Sequence, residues 1–165
     1  MNMKPVLYPS ELENWWLDEL TRIHGPGPMD KKLKRVEPDA SRLIDLFTTE
    51  RAGDFGNYTD DPSLLLAYGL FFFPQNYARI QLVLHEALSG SSLPKDRPLR
   101  ILDVGAGLGA AGFSALRQLS TLGYGLLDFQ VLDKSEASLP ILGRIFNDLK
   151  PQLWPQAGLT VHQAD

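Results

Sequence analysis

The stretch Leu99-Arg-Ile-Leu-Asp-Val-Gly-Ala-Gly-Leu-Gly109 decides the fold, because an apolar run leads directly into glycines at alternate positions. Such a run followed by glycine predicts a buried strand that ends in a tight turn. Glycine is needed where the backbone turns sharply or approaches a ligand without a Cβ in the way. Gly105, Gly107 and Gly109 therefore indicate a loop that holds a nucleotide cofactor.

An acidic residue at the end of this strand bears on the kind of cofactor. Asp103 lies two residues before the first glycine, where a carboxylate would repel the pyrophosphate of a dinucleotide and attract a cationic amino-acid group. This favours S-adenosylmethionine. A dinucleotide stays open as the alternative, because Gly107, Gly109 and Gly112 also spell G-x-G-x-x-G, the dinucleotide-binding fingerprint.

Two further strands are predicted after the glycine loop, and each is followed by an acidic residue. Phe129-Gln-Val-Leu132 indicates a short buried strand that ends at Asp133. This carboxylate could accept hydrogen bonds from both ribose hydroxyls of either cofactor, or it could help to cap the next helix. A third strand is predicted over 159–164, and Asp165 after it could accept from an adenine amino group.

The sequence predicts a cofactor site but neither a metal site nor a catalytic residue. No His or Cys pattern suggests a metal, since His24, His85 and His162 are scattered singly and cysteine is absent. No catalytic residue can be named from spacing. The predicted cofactor-binding residues are Asp103, Gly105, Ala106, Gly107, Gly109, Asp133, Lys134 and Asp165.

Upstream of the first strand the sequence predicts helices. Ser10-Glu-Leu-Glu13 has the form of a capping box that opens a helix to about Ile23, and Asp39 is a candidate cap for a second helix through Phe47. A third helix is predicted over 75–88. The polar, proline-containing stretch 89–98 then separates a helical cap, residues 1–90, from an α/β part, residues 98–165.

Within the α/β part, helices are predicted between the strands. One runs from Ala110 to about Leu122, and the next is capped by Ser135 or Ser138 and broken by Pro151. The chain is therefore expected to be α/β, with the helical cap followed by about three parallel strands and their helices.

These residues resemble the class I, Rossmann-like S-adenosylmethionine-dependent methyltransferases, whose first motif is matched by Asp103 and the three glycines after it. The post-strand acid of that class is matched by Asp133. Tyr58-Thr-Asp-Asp-Pro-Ser-Leu-Leu-Leu-Ala-Tyr68 and Phe73-Pro-Gln-Asn-Tyr-Ala-Arg-Ile80 are similar to the helical segment of the small-ribosomal-subunit-associated methyltransferase-like family.

The resemblance implies a methyltransferase that acts on rRNA or in small-subunit assembly, with only the first half of the sheet in this sequence, truncated after the third strand. Catalytic residues of the family follow its fourth strand, so we expect this chain to be inactive by itself. A non-catalytic assembly factor of the same fold and an NAD-binding oxidoreductase are the alternatives.

The composition of the chain limits the kinds of partner that it is expected to bind. Sixteen Lys and Arg against twenty Asp and Glu give the 165-residue chain a net charge of −4, which argues against a broad basic surface for nucleic acid. With no cysteine, no signal-peptide pattern and no long apolar run, we expect a cytoplasmic protein with no membrane contact. Without a fourth strand, residues 99–104 should form an exposed apolar edge, which we expect to pair in a homodimer, with coverage by the N-terminal helices as the alternative.

Three other features have ordinary structural explanations. The basic run Lys31-Lys-Leu-Lys-Arg35 is more typical of a solvated face than of a phosphate site. At least one of Trp15 and Trp16 is expected in the core. Phe71-Phe-Phe73 is expected to be buried between cap and sheet, with a wall of the cofactor pocket as the alternative.

Overall fold

A computed structural model describes residues 8–49, 58–88 and 93–164. The N-terminal part consists of helices α1 (Ser10–His24) and α2 (Met29–Thr49), a 3-10 turn (Tyr58–Asp60), α3 (Pro62–Ala67), a π-helical turn (Tyr68–Phe72) and α4 (Phe73–Leu88). The C-terminal part alternates β1 (Leu99–Val104), α5 (Ala110–Thr121), β2 (Leu127–Asp133), α6 (Ser138–Leu153) and β3 (Ala157–Gln163). The predicted α/β class is confirmed.

Helix α1 lies where the sequence predicts it, but the predicted capping box is wrong. Pro9 is the N-cap residue in an extended conformation, and its carbonyl accepts from Leu12 N (3.1 Å) and Glu13 N (3.2 Å). Ser10 is already helical, and its hydroxyl donates to Glu11 Oε2 instead (3.2 Å). Proline supplies the extended entry that a serine cap would otherwise provide.

Helix α2 begins ten residues before the predicted cap, so Asp39 lies inside it. An apolar stripe at helical spacing explains the difference, because Val36 and Leu43 are buried on one face of a continuous helix. Pro38 lies within the helix on its exposed side. Burial of the stripe outweighs the backbone hydrogen bond that this proline removes.

Helices α3 and α4 form one nearly continuous rod that the π-helical turn interrupts. Asp61 caps α3 by accepting from Ser63 N (3.0 Å), and Pro62 occupies its first turn, where a missing N–H costs little. In the π-helical turn, Gly69 lies directly against the ring of Trp16, and a Cβ there would overlap that ring. The close approach of α1 therefore depends on this glycine.

The three strands are parallel, as the sequence predicts, and they lie in the order β1-β2-β3. Strand β2 starts at Leu127, two residues before its predicted start. Val104 is in register with Leu132, and Asp133 is in register with Gln163. The carboxyl ends of β1 and β2 therefore meet at the same edge of the sheet, directly before the glycine loop.

The two faces of the sheet differ. Phe129 and Val131 are fully buried beneath α5 and α6, whereas Leu102 and Val104 on the opposite face of β1 are 62% and 67% exposed. Side chains alternate between the two faces of a strand, so this pattern shows that the helices cover one face. Among the described residues, β1 pairs only with β2, and its outer edge is open.

The start of helix α6 agrees with its prediction, and its end does not. Ser135 Oγ accepts from Ser138 N (3.0 Å), which is the hydrogen bond of a serine cap, and the helix begins at Ser138. Pro151 does not break the helix, which continues to Leu153. Because the last turn is anchored by the buried Leu153 and Trp154, burial maintains the helical path beyond the proline.

Cap and sheet share one hydrophobic core. Phe113 of α5 packs against Phe73 of α4 (ring centroids 6.3 Å apart) and stacks on Trp154 (4.9 Å). Ser114 Oγ donates to the carbonyl of Tyr77 (2.9 Å) in the same buried layer. The cap helices therefore hold α5, and with it the glycine loop, in a fixed position.

Candidate functional site

The glycine loop is built from left-handed turns. Gly105, Gly107 and Gly109 have φ values of 71°, 52° and 84°, a region that residues with a Cβ rarely adopt. A Cβ at Gly105 or Gly107 would meet nothing within 4 Å, whereas one at Gly109 would lie 2.8 Å from the ring of Phe113. The first two glycines therefore border open space, and the third allows close packing.

Asp133 holds the glycine loop to the end of β2. Its Oδ2 accepts from Gly107 N (2.7 Å), and its Oδ1 accepts from Ser135 N (2.8 Å). The carboxylate thus joins the turn after β1 to the turn after β2. Its predicted role in capping the next helix is indirect, because Ser135 in turn accepts from Ser138.

Asp103 holds the other end of the loop. Its Oδ2 accepts from Gly112 N at the start of α5 (2.9 Å). Burial raises the pKa of this carboxyl, and the charge of Asp133 raises it further, while the Gly112 hydrogen bond acts in the opposite direction. Gly112 is required for this contact, because a Cβ there would overlap the ring of Phe129.

Six amide groups around the loop are already used within the chain. Leu132 O accepts from two of them, Ala106 O and Gly109 O from one each, and the two carboxylates from the remaining two. The donors are the N–H groups of Gly105, Ala106, Gly107, Gly109, Gly112 and Phe113. In a dinucleotide site such amides are free to bind the pyrophosphate, so the loop differs from that arrangement.

The structure brings most of the predicted site residues together. Asp103, Asp133 and the three glycines lie around one turn, and Ala106 is half-buried within it. Lys134 follows Asp133 directly in the sequence, and its side chain is exposed. Asp165 lies outside the described residues.

The cap contributes side chains to this site that the sequence did not identify as site residues. Ser135 Oγ donates to Thr59 O (3.3 Å), which ties the 3-10 turn of the cap to the loop after β2. Tyr58 and Tyr68 are both half-buried beside this connection, and their rings stack 6.2 Å apart. The sequence carried a signal for these residues, because Tyr58 and Tyr68 are the first and last residues of a stretch that resembles the methyltransferase-like family.

Other features of the sequence have structural roles elsewhere. Trp16 is buried in the core, and Trp15 Nε1 donates to Asp148 Oδ2 of α6 (2.9 Å). The basic run lies on α2, where Lys32 is buried and donates to Thr21 Oγ1 (2.9 Å). Of the three phenylalanines that were expected to be buried, Phe73 is fully buried and Phe72 half-buried, but the expectation is wrong for Phe71, which is 37% exposed.

Comparison of the sequence with protein-family models and with curated proteins finds no match. Among the described helices, none combines the length and the apolar character that a membrane span requires. The predicted cytoplasmic location stays a prediction.

Proposed function

We propose that this chain binds S-adenosylmethionine and belongs to a methyltransferase that acts on rRNA or in assembly of the small ribosomal subunit. The observation that carries the proposal is the meeting of Asp103 and Asp133 at a glycine turn that is open at Gly105 and Gly107. Neither carboxylate has an ion-pair partner within 8–49, 58–88 and 93–164. Their uncompensated charge suits a cationic ligand.

The residues present fit the donor. Each oxygen of Asp133 accepts one backbone N–H, and a carboxylate oxygen has two acceptor positions, so capacity remains for ribose hydroxyls. The open surface at Gly107 gives room for an adenosyl group, and Asp103 would attract the amino-acid end. When bound, the donor supplies a methyl group on a sulfonium that is already electrophilic. The chain therefore needs to orient it and exclude water.

The dinucleotide alternative is less well supported by the same geometry. A pyrophosphate would need the amides of Gly107 and Gly112, which donate to Asp133 and Asp103. It would also bring its negative charges next to both carboxylates. That repulsion favours the sulfonium donor over NAD.

The methyl acceptor is proposed on the resemblance alone. The net charge of −4 gives no general attraction for RNA, so an RNA contact would have to be local. A non-catalytic assembly factor is distinguished by donor binding without methyl transfer to small-subunit rRNA.

Calorimetric titration of the 165-residue chain with S-adenosylmethionine and with NADH tests the proposal. We expect binding of the first only, and we expect Gly107→Val to abolish it by filling the open surface. Gly25→Val is the matched control, because Gly25 also has a positive φ and open space, but it ends α1. Equal affinity in wild type and Gly107→Val, or binding of NADH alone, would overturn the assignment.

We also propose that two copies of this chain associate through β1. Within the described part of the chain no strand pairs with the outer edge of β1, and Leu102 and Val104 are exposed beside it. An unprotected apolar edge is a template for pairing, and a second copy presents the same edge. Light scattering should show dimers that Val104→Lys dissociates, whereas a monomer at high concentration would contradict the proposal.

A further inference from the structure

Ser135 forms hydrogen bonds with both the cap and the candidate site. Its N–H donates to Asp133 Oδ1 (2.8 Å), and its hydroxyl donates to the carbonyl of Thr59 in the 3-10 turn (3.3 Å). The same hydroxyl accepts from Ser138 N at the start of α6 (3.0 Å). One residue therefore connects the cap, the loop after β2 and the next helix.

Burial makes the partners of the Ser135 hydroxyl hard to replace. Ser135 and Ser138 are both buried. A hydroxyl has one hydrogen to donate, and that of Ser135 goes to the cap. Removal of the oxygen would deprive the buried Ser138 N–H of this acceptor, which costs more than the loss of an exposed hydrogen bond. The position of the loop after β2 therefore depends on this side chain.

The carboxylate of Asp133 is oriented from two sides by backbone N–H groups. Ser135 N binds Oδ1, and Gly107 N of the glycine loop binds Oδ2 (2.7 Å). The main chain of Asp133 is held separately, because its carbonyl accepts from Ala164 N after β3 (3.2 Å). A displacement of Ser135 would thus change the direction of the carboxylate rather than the path of the strand.

The 3-10 turn at the other end of this connection is itself anchored in the cap. Asp61 N donates to Tyr58 O (3.3 Å), and Asp61 Oδ2 accepts from Arg42 of α2 (3.4 Å). The carbonyl of Thr59 is thereby held as an acceptor for Ser135. A continuous series of hydrogen bonds leads from the cap through Ser135 to the candidate site.

We propose that Ser135 is a positioning residue, whose hydroxyl keeps the carboxylate of Asp133 in its ligand-binding direction by tying the loop after β2 to the cap. A ligand that donates to Asp133 binds more tightly when its acceptor is already oriented, because less conformational freedom is lost on binding. The effect on affinity rests on the proposed function, whereas the effect on the carboxylate can be measured without a ligand.

Hydrogen exchange of two glycine amides, followed by NMR on the 165-residue chain, tests the positioning. Gly107 N donates to Asp133, whereas Gly105 N in the same loop donates to Leu132 O (2.8 Å). Ser135→Ala removes the hydroxyl and keeps the N–H that binds Asp133. It should raise the exchange rate of Gly107 relative to Gly105 by roughly three- to tenfold, because an amide exchanges when its hydrogen bond opens.

Ser138→Ala is the matched control. It removes another buried serine hydroxyl, which donates to Ser135 O within the same turn (3.5 Å) and not to the cap, so it should keep the wild-type exchange ratio. Calorimetry on the same variants measures binding of S-adenosylhomocysteine. The dissociation constant should rise roughly three- to tenfold in Ser135→Ala and stay unchanged in Ser138→Ala.

The outcomes separate this inference from the proposed function. An unchanged exchange ratio in Ser135→Ala would overturn the inference, and so would a changed ratio with the wild-type dissociation constant. If the wild type binds no ligand, the proposed function fails and the effect on affinity with it, but the exchange ratio still decides whether Ser135 positions Asp133. If thermal unfolding shows that Ser135→Ala does not fold, Ser135→Cys, with its weaker donor, supplies the ratio and the constant.

Discussion

Glu19 and the pair Asp103 and Asp133 show two ways to hold a sheltered carboxylate. Glu19, which is buried, accepts from the guanidinium groups of Arg22 and Arg144, both at 2.7 Å. Asp103 and Asp133 accept from backbone N–H groups, and neither has an ion-pair partner in the described part of the chain. The charge of Glu19 is therefore neutralised, whereas the charges of Asp103 and Asp133 are not.

The difference separates a structural carboxylate from a pair that we propose to bind a ligand. The Arg22 hydrogen bond, with Arg144 in support, lowers the pKa of Glu19 to about 2 against the opposing effect of burial. Glu19 thereby joins α1 to α6, and its negative charge is balanced by the two guanidinium groups. Burial and Asp133 raise the pKa of Asp103, which is the kind of perturbation that clusters at functional sites.

The largest expected effect on stability follows removal of the structural carboxylate. Glu19→Gln should lower the free energy of unfolding by roughly 1.5 to 3 kcal/mol, because hydrogen bonds to two charged partners are lost or weakened. Urea unfolding measures this. The control is Arg100→Ala, which breaks the exposed pair with Asp128 (3.6 Å) and should cost less than about 0.5 kcal/mol. Equal losses of unfolding free energy in both variants would contradict a special structural role for Glu19.

The contribution of Glu19 should also depend on pH in a definite direction. A carboxyl whose pKa is lowered on folding stabilises the fold above its ordinary pKa, and this contribution is lost as the pH falls. The difference in stability between wild type and Glu19→Gln should therefore be constant above pH 4.5 and shrink towards pH 2. A difference that stays constant down to pH 2 would show that the charge of Glu19 is not the cause.

For Asp103 and Asp133, the pair that we propose to bind the ligand, the main effect should fall on ligand binding. Asp133→Ala should weaken binding of S-adenosylhomocysteine by an amount on the order of 1.5 to 3 kcal/mol, through lost hydrogen bonds to a charged acceptor. Calorimetry measures the change. Asp128→Ala removes a half-buried carboxylate from the same strand and should leave the dissociation constant unchanged. An unaltered constant in Asp133→Ala would make Asp133 a purely structural residue.

The smallest effect has the opposite sign. Asp103→Asn should raise the free energy of unfolding at pH 7 by less than about 1 kcal/mol, because the amide oxygen still accepts from Gly112 while repulsion by Asp133 disappears. The same change should weaken binding of the donor. Thermal unfolding at pH 7 measures the gain, which should vanish when acid protonates Asp103. Destabilisation at pH 7 would show that the ionised form is preferred.

The local sequence was sufficient to predict the sheet and the glycine loop. Strand β1, the parallel order of the strands and the meeting of Asp103 with Asp133 follow from apolar runs that end in acids and glycines. The start of α2 could not be predicted in the same way. Pro38 and the basic run are unfavourable signals for a helix, and the helix forms because Val36 and Leu43 are buried on one of its faces.

The cap side of the site lay beyond the reach of local patterns. Tyr58 and Tyr68 stand in a segment separated from Asp103 and Asp133 by several elements, and only packing of α4 on α5 brings them close. The π-helical turn was also unpredictable, since a glycine among aromatic residues in Tyr68–Phe72 does not by itself distinguish a π turn from a break in the helix. Its geometry depends on the contact of Gly69 with Trp16, which is tertiary.

The π-helical turn also sets a constraint on the length of the chain. A π turn accommodates one residue more than an α turn, and each residue of an α-helix rotates the following side chains by about 100°. Loss of one residue from Tyr68–Phe72 would therefore convert the π turn to an α turn and leave the buried Phe73 and Tyr77 facing α5. Sequences that keep this site should vary in length by one residue at this turn and nowhere else between Asp61 and Phe73, and they should keep Gly69 against the ring of Trp16.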